Sequence, residues 1–377
     1  MGSVSPSLSR ARPLLELAPP GDPRGGAAVG GEPDRRRRLR PQAWSGALFI
    51  AGGLALAVSL AMSVTLGAAD LGLGEVLQSL SWRLGLSESG LTRLEEAVIW
   101  QMRAPRALLA AAVGAGLAVC GAVLQGLTRN ALADPYLLGV SSGASTGAVA
   151  VLVLGVGGGV FALSLGALVG AVGAFAVVLA LIGRRDASPA RVILAGVAVS
   201  QFFAAVTSLV LMSSADNDNA KSLLGWLLGS LASANWVSLT AATAAVAIGG
   251  TVCWARASAL DAFVFGRETA ASLGVSPDRA AFRLFALTAM VTAVLVAASG
   301  AIGFVGLVVP HASRLLGARR HRLLLPASAL IGALFLVWAD VVSRVAFVPQ
   351  QIPVGVVTAL IGVPAFAAIL RARMGRS

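Results

Sequence analysis

Ten apolar runs recur between residues 46 and 371 of this chain, and most are long enough to cross a bilayer. They lie at about 46–68, 107–127, 135–155, 160–183, 191–212, 238–256, 282–302, 305–317, 323–344 and 353–371. Lipid offers no partner to a backbone N–H or C=O, so a spanning segment must be a helix or part of a closed barrel. Barrel strands alternate apolar and polar residues, whereas these runs are continuous. The pattern therefore predicts an all-α polytopic membrane protein. An upright crossing takes about 20 residues. The eighth run is shorter and carries Gly303, Gly306 and Pro310, so it is expected to be tilted or broken.

Composition agrees. Hydrophobic residues make up 57% of the chain and charged residues 12%, with a mean hydropathy of +0.84. A water-soluble chain carries about a quarter charged residues; this one has too few to solvate its own surface. The formal charge is +12, with Lys221 the only lysine among 29 basic residues. A nucleic-acid binder gathers such charge on one solvated face. Here the arginines punctuate apolar runs, which excludes nucleic acid and points to membrane orientation. Cys120 and Cys253 lie within apolar runs without a CxxC partner, and only His311 and His321 could add metal ligands. Small buried hydrophobes are the reading for the cysteines, a hydrogen-bonded structural group for His311, and no metal site is expected.

Residues 1–42 are rich in Pro, Gly, Ser and Arg and end in the run Arg35 to Arg40, a pattern expected of a disordered basic tail. The membrane-spanning body is then 43–377. The first apolar run lacks a small-residue cleavage site and reads as a retained helix, not a signal peptide. With the N-terminus inside, Arg83, Arg93, Arg103, Arg106, Lys221 and Arg344 are the only six basic residues outside, against 23 of the 29 inside. Positive charge accumulates on the cytoplasmic side, so both termini are expected there. Of the long outer segments, the one from Ser214 to Trp236 holds an amphipathic stretch, Leu223 to Leu231, flanked by Trp226 and Trp236 and expected to lie at the membrane surface. CGAV at 120–123 and SGAI at 299–302 form a weak echo in oppositely directed spans, as an inverted repeat would.

A polytopic membrane protein that moves a solute against a gradient needs an energy source. A phosphate-cradling loop requires GxxxxGK[ST], and Lys221 follows Asn219 and Ala220, so ATP hydrolysis by that route is excluded. Ion-coupled carriers place ionisable groups at mid-membrane. Only Asp340 lies clearly inside a run, near its outer end, and Asp134 sits where a helix cap would. A separate ATPase partner is the favoured reading, with an ion-coupled carrier or a non-transporting scaffold as alternatives.

From Trp100 onward, ordered blocks carry a resemblance. They are WQMRAPR at 100–106, LAVCGAVLQGLTRNALADPYLLGVSSGAS at 117–145, VILAGVAVS at 192–200, LLGSL at 227–231 and FGRETAASLGV at 265–275. GAIGFVGLVVPH at 300–311, LLLPASALIGA at 323–333, AD at 339–340 and IPVGVVTALIGVPAF at 352–366 complete the set. The chain resembles the FecCD/BtuC family of ABC importer permeases from about Ala47 to Arg373. It departs at Ala131, where the family has Pro, at Arg267, where it has an acidic residue, and at Gln351, where it has Glu.

The resemblance implies about ten transmembrane helices with an inverted internal repeat in a bacterial cytoplasmic membrane. It implies a permease, itself not an enzyme, that imports an iron(III)-siderophore or related chelate, with haem, cobalamin or another organic cofactor as alternatives. Partners would be a second copy in a homodimer, two ATP-binding subunits inside, an extracytoplasmic substrate-binding protein and membrane lipid. ATP and Mg would sit on the partner ATPase, leaving this chain without a cofactor. Residues matching the family's motifs then acquire roles. Arg103, Arg106 and Arg344 would present docking charges to the binding protein, with headgroup contact as the alternative. Gly266, Arg267, Glu268, Leu273 and Gly274 would form the ATPase-coupling loop, as short helices with glycine turns. Asn130, Leu132, Ser188 and Pro189 would belong to the cytoplasmic gate, though Asn130 and Ser188 serve equally well as helix caps. The path itself would be lined by small and apolar residues of the fifth and tenth runs.

Overall fold

A computed structural model describes residues 40–67, 71–86, 88, 90–155, 159–182, 188–213, 223–348 and 350–374. Most of the basic tail, and Ser214 to Lys221 of the second outer segment, lie outside these residues. Ala47–Ser377 form one compact unit. Among the described residues there is no strand.

The helices are α1 (Arg40–Thr65), α2 (Leu73–Arg83), α3 (Arg93–Ala97), α4 (Ala104–Thr128), α5 (Val140–Val153), α6 (Val160–Ile182) and α7 (Pro189–Ser213). Then follow α8 (Trp236–Ala255), α9 (Ala257–Val264), α10 (Arg267–Ser272), α11 (Pro277–Ser299), α12 (Val305–Leu315), α13 (His321–Val345) and α14 (Val354–Met374). Each of the ten apolar runs yields a helix, and among the described residues seven helices are long and apolar enough to cross a membrane. The third and eighth runs yield only 14 and 11 helical residues.

α4 is the axis of the bundle. It continues from α3 through a π-helical turn, Val98–Arg103, into one 36-residue span. Pro105 explains the turn: it cannot donate to the carbonyl four residues back, and its ring crowds that carbonyl. α3 itself starts on a capping box, in which the Thr92 hydroxyl accepts from Glu95 N–H and the Glu95 carboxylate accepts from Thr92 N–H. Membrane helices gain little from apolar burial and rely on close packing of small residues. α4 meets α13 on that principle: a Cβ on Gly114 would overlap the Gly332 carbonyl, and one on Gly332 the Gly114 carbonyl.

Both short helices follow a break. Beyond α4, Arg129 turns left-handed (φ 51°), and the chain makes a 3-10 turn at Pro135–Leu138 before Gly139 (φ 76°) admits α5. Beyond α11, Gly300 (φ 67°) and Phe304 (φ 68°) interrupt the chain before α12. Pro310 within α12 leaves the Gly306 carbonyl without its helical donor. Gln125 of α4 supplies the missing bond, its Nε2 donating to Gly306 O at 3.2 Å and to Leu307 O at 3.1 Å. The two halves thus share the order long helix, break, short helix. The CGAV and SGAI echo does not mark it, because CGAV lies inside α4 while SGAI straddles the end of α11.

The stretch Leu223 to Leu231 is amphipathic as expected, with Leu224 and Leu228 exposed, but Trp226 is not a surface anchor. The chain is helical at 223–227, but Leu223, Trp226 and Leu231 are buried. Ser230 N–H donates to Ser299 O, and Gly229 O accepts from Gly355 N–H. The segment is wedged between the end of α11 and the start of α14 because its backbone finds partners there. Trp236 stacks on Trp100 at 6.5 Å and donates its indole N–H to Trp100 O at 2.9 Å.

Candidate functional site

Three arginines and one aspartate hold one end of the bundle together. Asp340 on α13 is fully buried. Arg106 meets its Oδ1 with Nε and Nη2, both at 2.9 Å, and Arg344 meets its Oδ2 with Nε at 3.0 Å. Further guanidinium donors reach the end of α1: Arg344 donates to Ser63 O, Ser63 Oγ and Leu66 O, and Arg103 to Val64 O and Thr65 O. The last four carbonyls of a helix have no partner within it and carry partial negative charge. Two guanidinium groups therefore serve as the C-terminal cap of α1.

Arg103, Arg106 and Arg344, the residues expected to dock a binding protein, therefore direct these donors into the chain itself. Arg103 is 8% exposed, and the side chains of Arg106 and Arg344 are 12% and 8% exposed. Their hydrogen bonds explain why: a buried guanidinium must satisfy its donors on protein. Gln351, where the family has Glu, accepts from Arg106 Nη1 at 2.9 Å. The amide keeps the acceptor and removes a second negative charge from the cluster.

At the opposite ends of α4 and α13 lies the predicted coupling segment. α9 and α10 are its two short helices, and they turn at Gly266, whose φ of 110° is open to few residues besides glycine. Gly274 (φ 80°) closes the second turn. Arg267 is paired with Asp278 at the start of α11, so the departure from an acidic residue is absorbed within the loop. Glu268 is exposed, together with Val264, Phe265 (74%) and Leu273 (66%). The segment is anchored from beneath. Ala270 and Phe263 are buried, and Asp261 accepts from both the backbone N–H and Nδ1 of His321. Arg129 Nη1 lies 3.7 Å from where a Cβ on Gly266 would stand, which links the loop to the end of α4.

The candidate gate residues are brought to two chain breaks. Asn130 Oδ1 accepts from Leu132 N–H at 2.9 Å and Asn130 O from Ala133 N–H, so the turn closes with Ala131 in place of proline. Leu132 is exposed. Pro189 opens α7 and Ser188 O accepts from Val192 N–H. Large apolar side chains of α7 (Leu194, Phe202, Leu209) and α14 (Leu360, Val363) stand exposed.

At the centre, the Tyr136 hydroxyl donates to Ile302 O at 2.9 Å and accepts from Ile302 N–H at 2.8 Å. It thereby ties the two interrupted segments together. Neither Tyr136 nor the Asp261–His321 pair was singled out from sequence. Tyr136 is the only tyrosine, a signal available in principle, but its partner is a backbone group that no motif announces. Among the described residues, no group of three His, Cys, Asp or Glu is placed to hold a metal ion.

Comparison with known proteins follows this geometry. Residues 55–372 match the FecCD transport family. The chain is 42% identical over 295 residues to the cobalamin import system permease protein BtuC of Halobacterium salinarum, covering 76% of this chain and 77% of that one. It is 38% identical over 353 residues to the uncharacterized ABC transporter permease protein YvrB of Bacillus subtilis, covering 91% and 98%. The vitamin B12 import system permease protein BtuC of Salmonella typhimurium is 39% identical over 278 residues, covering 73% and 84%. An ABC transporter assigned to the metal-chelate type, solved in an inward-facing conformation, superimposes with a TM-score of 0.76 at 30% identity. That match covers 87% of this chain and 99% of that one.

Proposed function

The chain belongs to the FecCD transport family, and from that premise we propose that it carries an organic metal chelate of the corrinoid kind inward. It is the membrane-spanning permease subunit of an ABC importer, a non-catalytic component integral to the inner membrane, and its ATPase is a partner chain. The relatives named for cobalamin and vitamin B12 import favour cobalamin as cargo. The fold shared with a transporter of the metal-chelate type favours an iron(III)-siderophore as the second reading.

One observation carries the mechanism. The α9–α10 segment presents Phe265, Leu273 and Glu268 to solvent while Asp261 and Ala270 fix it to the bundle. Exposed apolar groups with a charged neighbour, on a rigidly held loop, suit a protein partner, and the ATPase is the partner that needs one. Movement of that loop reaches the end of α4 through Arg129, beside Asn130 and Leu132 of the gate. The arginine-rich connections support a cytoplasmic location for this face, with both termini on the same side. The opposite end, held by the Asp340 network, is the docking face for a binding protein, with Arg106 and Gln351 at its rim. The exposed apolar faces of α7 and α14 suit pairing with a second copy around the path.

The test is uptake into vesicles holding the permease, its ATPase and the binding protein, using labelled cyanocobalamin and a labelled ferric hydroxamate in parallel. ATP-dependent, vanadate-sensitive accumulation of the corrinoid is expected. Accumulation of the hydroxamate alone would move the cargo to the siderophore class, and uptake insensitive to vanadate would contradict coupling to an ATPase.

A further inference from the structure

An apolar groove of about 340 Å3 runs between α8 and α13 with α4 as its floor. Val246, Gly250 and Trp254 repeat every four residues along one face of α8; Leu325 and Ala329 of α13 face them, and Val119 lies beneath. The groove exists because Gly250 offers no side chain there: a Cβ on it would meet nothing within 4 Å.

One end of the groove is polar in a specific way. Pro326 has no N–H, so the Arg322 carbonyl loses its helical donor. The Trp254 indole N–H takes that place at 3.0 Å, which fixes the ring at the groove's mouth. The Arg322 guanidinium stacks over the same ring, 5.1 Å from its centre. α8 ends one residue past Trp254 and α13 begins at His321, so Arg256, Arg319 and Arg320 belong to the same end. All four arginines are exposed, and among the described residues none of them has a carboxylate partner.

A hydrocarbon slot, a tryptophan at its mouth and an excess of cationic charge beside it match an anionic phospholipid, part by part. Tryptophan settles at the level of lipid headgroups, and basic pockets between membrane helices take anionic ones. An acidic protein surface would answer the charge but not the slot. We infer that this groove binds an anionic phospholipid, one acyl chain lying between α8 and α13 and its phosphate held by Arg322 and Arg256. The site adjoins the coupling segment, since α9 follows Arg256 directly and His321 is bonded to Asp261. A bound lipid would therefore brace that segment.

The experiment uses the intact complex of permease and ATPase in nanodiscs of dioleoylphosphatidylcholine with or without dioleoylphosphatidylglycerol. Lipid retained after transfer to detergent is read by native mass spectrometry. The wild type should retain phosphatidylglycerol in preference to phosphatidylcholine. Arg322→Gln should lower that preference about fivefold, the equivalent of ~1 kcal/mol per basic residue at a membrane surface. Gly250→Leu adds bulk to the slot at a position where a Cβ meets nothing, and should lower retention of both lipids, with the complex still monodisperse. Equal retention of the two lipids by the wild type overturns the site. So does unchanged retention in Gly250→Leu. Loss of ATPase from Arg322→Gln with retention unchanged reassigns the arginines to a protein contact, and loss of dimer mass in Gly250→Leu with retention unchanged assigns the groove to a second copy. Either result also overturns the proposal.

Discussion

Arg106 and Asp340 stand 234 residues apart in the chain, yet the guanidinium and the fully buried carboxylate meet at 2.9 Å. That contact, shared with Arg344, joins α4 to α13 and, through the α1 carbonyls, fastens the first helix of the bundle. Charge reversal at a solvated helix end costs little, whereas here it sets carboxylates against Asp340 and against the negative end of α1.

The first prediction concerns Asp340→Asn. Removing the carboxylate leaves two buried guanidinium groups without a counter-charge, a loss of about 3–5 kcal/mol. A large drop in the melting temperature of the detergent-solubilised permease is expected, and the Arg103, Arg106 and Arg344 triple change to Glu should yield no folded protein. An unaltered melting curve for Asp340→Asn would show that the network does not stabilise the fold.

Tyr136→Phe removes both bonds to Ile302 and leaves a backbone N–H and C=O unsatisfied. Each such group costs about 1–3 kcal/mol. The variant should melt at lower temperature, and its stability should not recover with Tyr136→Leu, which is equally unable to bond. A Tyr136→Phe melting temperature equal to that of the wild type would show that the hydroxyl does not stabilise this junction.

Phe265→Asp and Leu273→Asp change side chains that are 74% and 66% exposed, so the isolated permease should melt as the wild type does. Association with the ATPase should fall, read by co-purification, and ATP-driven uptake should fall with it. Wild-type co-purification of the double variant would place the coupling contact elsewhere.

Gly266→Val tests the turn between α9 and α10. A φ of 110° with an extended ψ is close to glycine-only, and strain of this kind costs about 1–3 kcal/mol. The expected result is reduced uptake with only modest loss of permease stability, because the turn lies outside the spans. Full uptake would show that the loop tolerates a different path.

Local chemistry made much of this protein legible. Continuous apolar runs can only be helices in lipid, so the number and order of the main helices follow from sequence, as do the absence of a phosphate loop and the ordered family blocks. The turns at Gly266 and Gly274 were also readable, because glycine is the residue that takes such backbone angles most easily. The helix interruptions were legible in part: Gly303, Gly306 and Pro310 foretold a short eighth helix. Nothing local showed that Gln125 would complete the α12 ladder.

Tertiary structure alone decided which polar groups meet. Arg103, Arg106 and Arg344 read as outer charges because a sequence reports a side chain's depth along a helix, not the face it presents. Trp226 read as an interfacial anchor for the same reason and is buried. A polar group inside a bundle is placed by whichever helix lies opposite, and that is settled by close approaches such as Gly114 to Gly332, between segments far apart in the chain. Apolar length fixes how many helices form. The backbone and guanidinium groups that must find partners away from water fix how those helices are held.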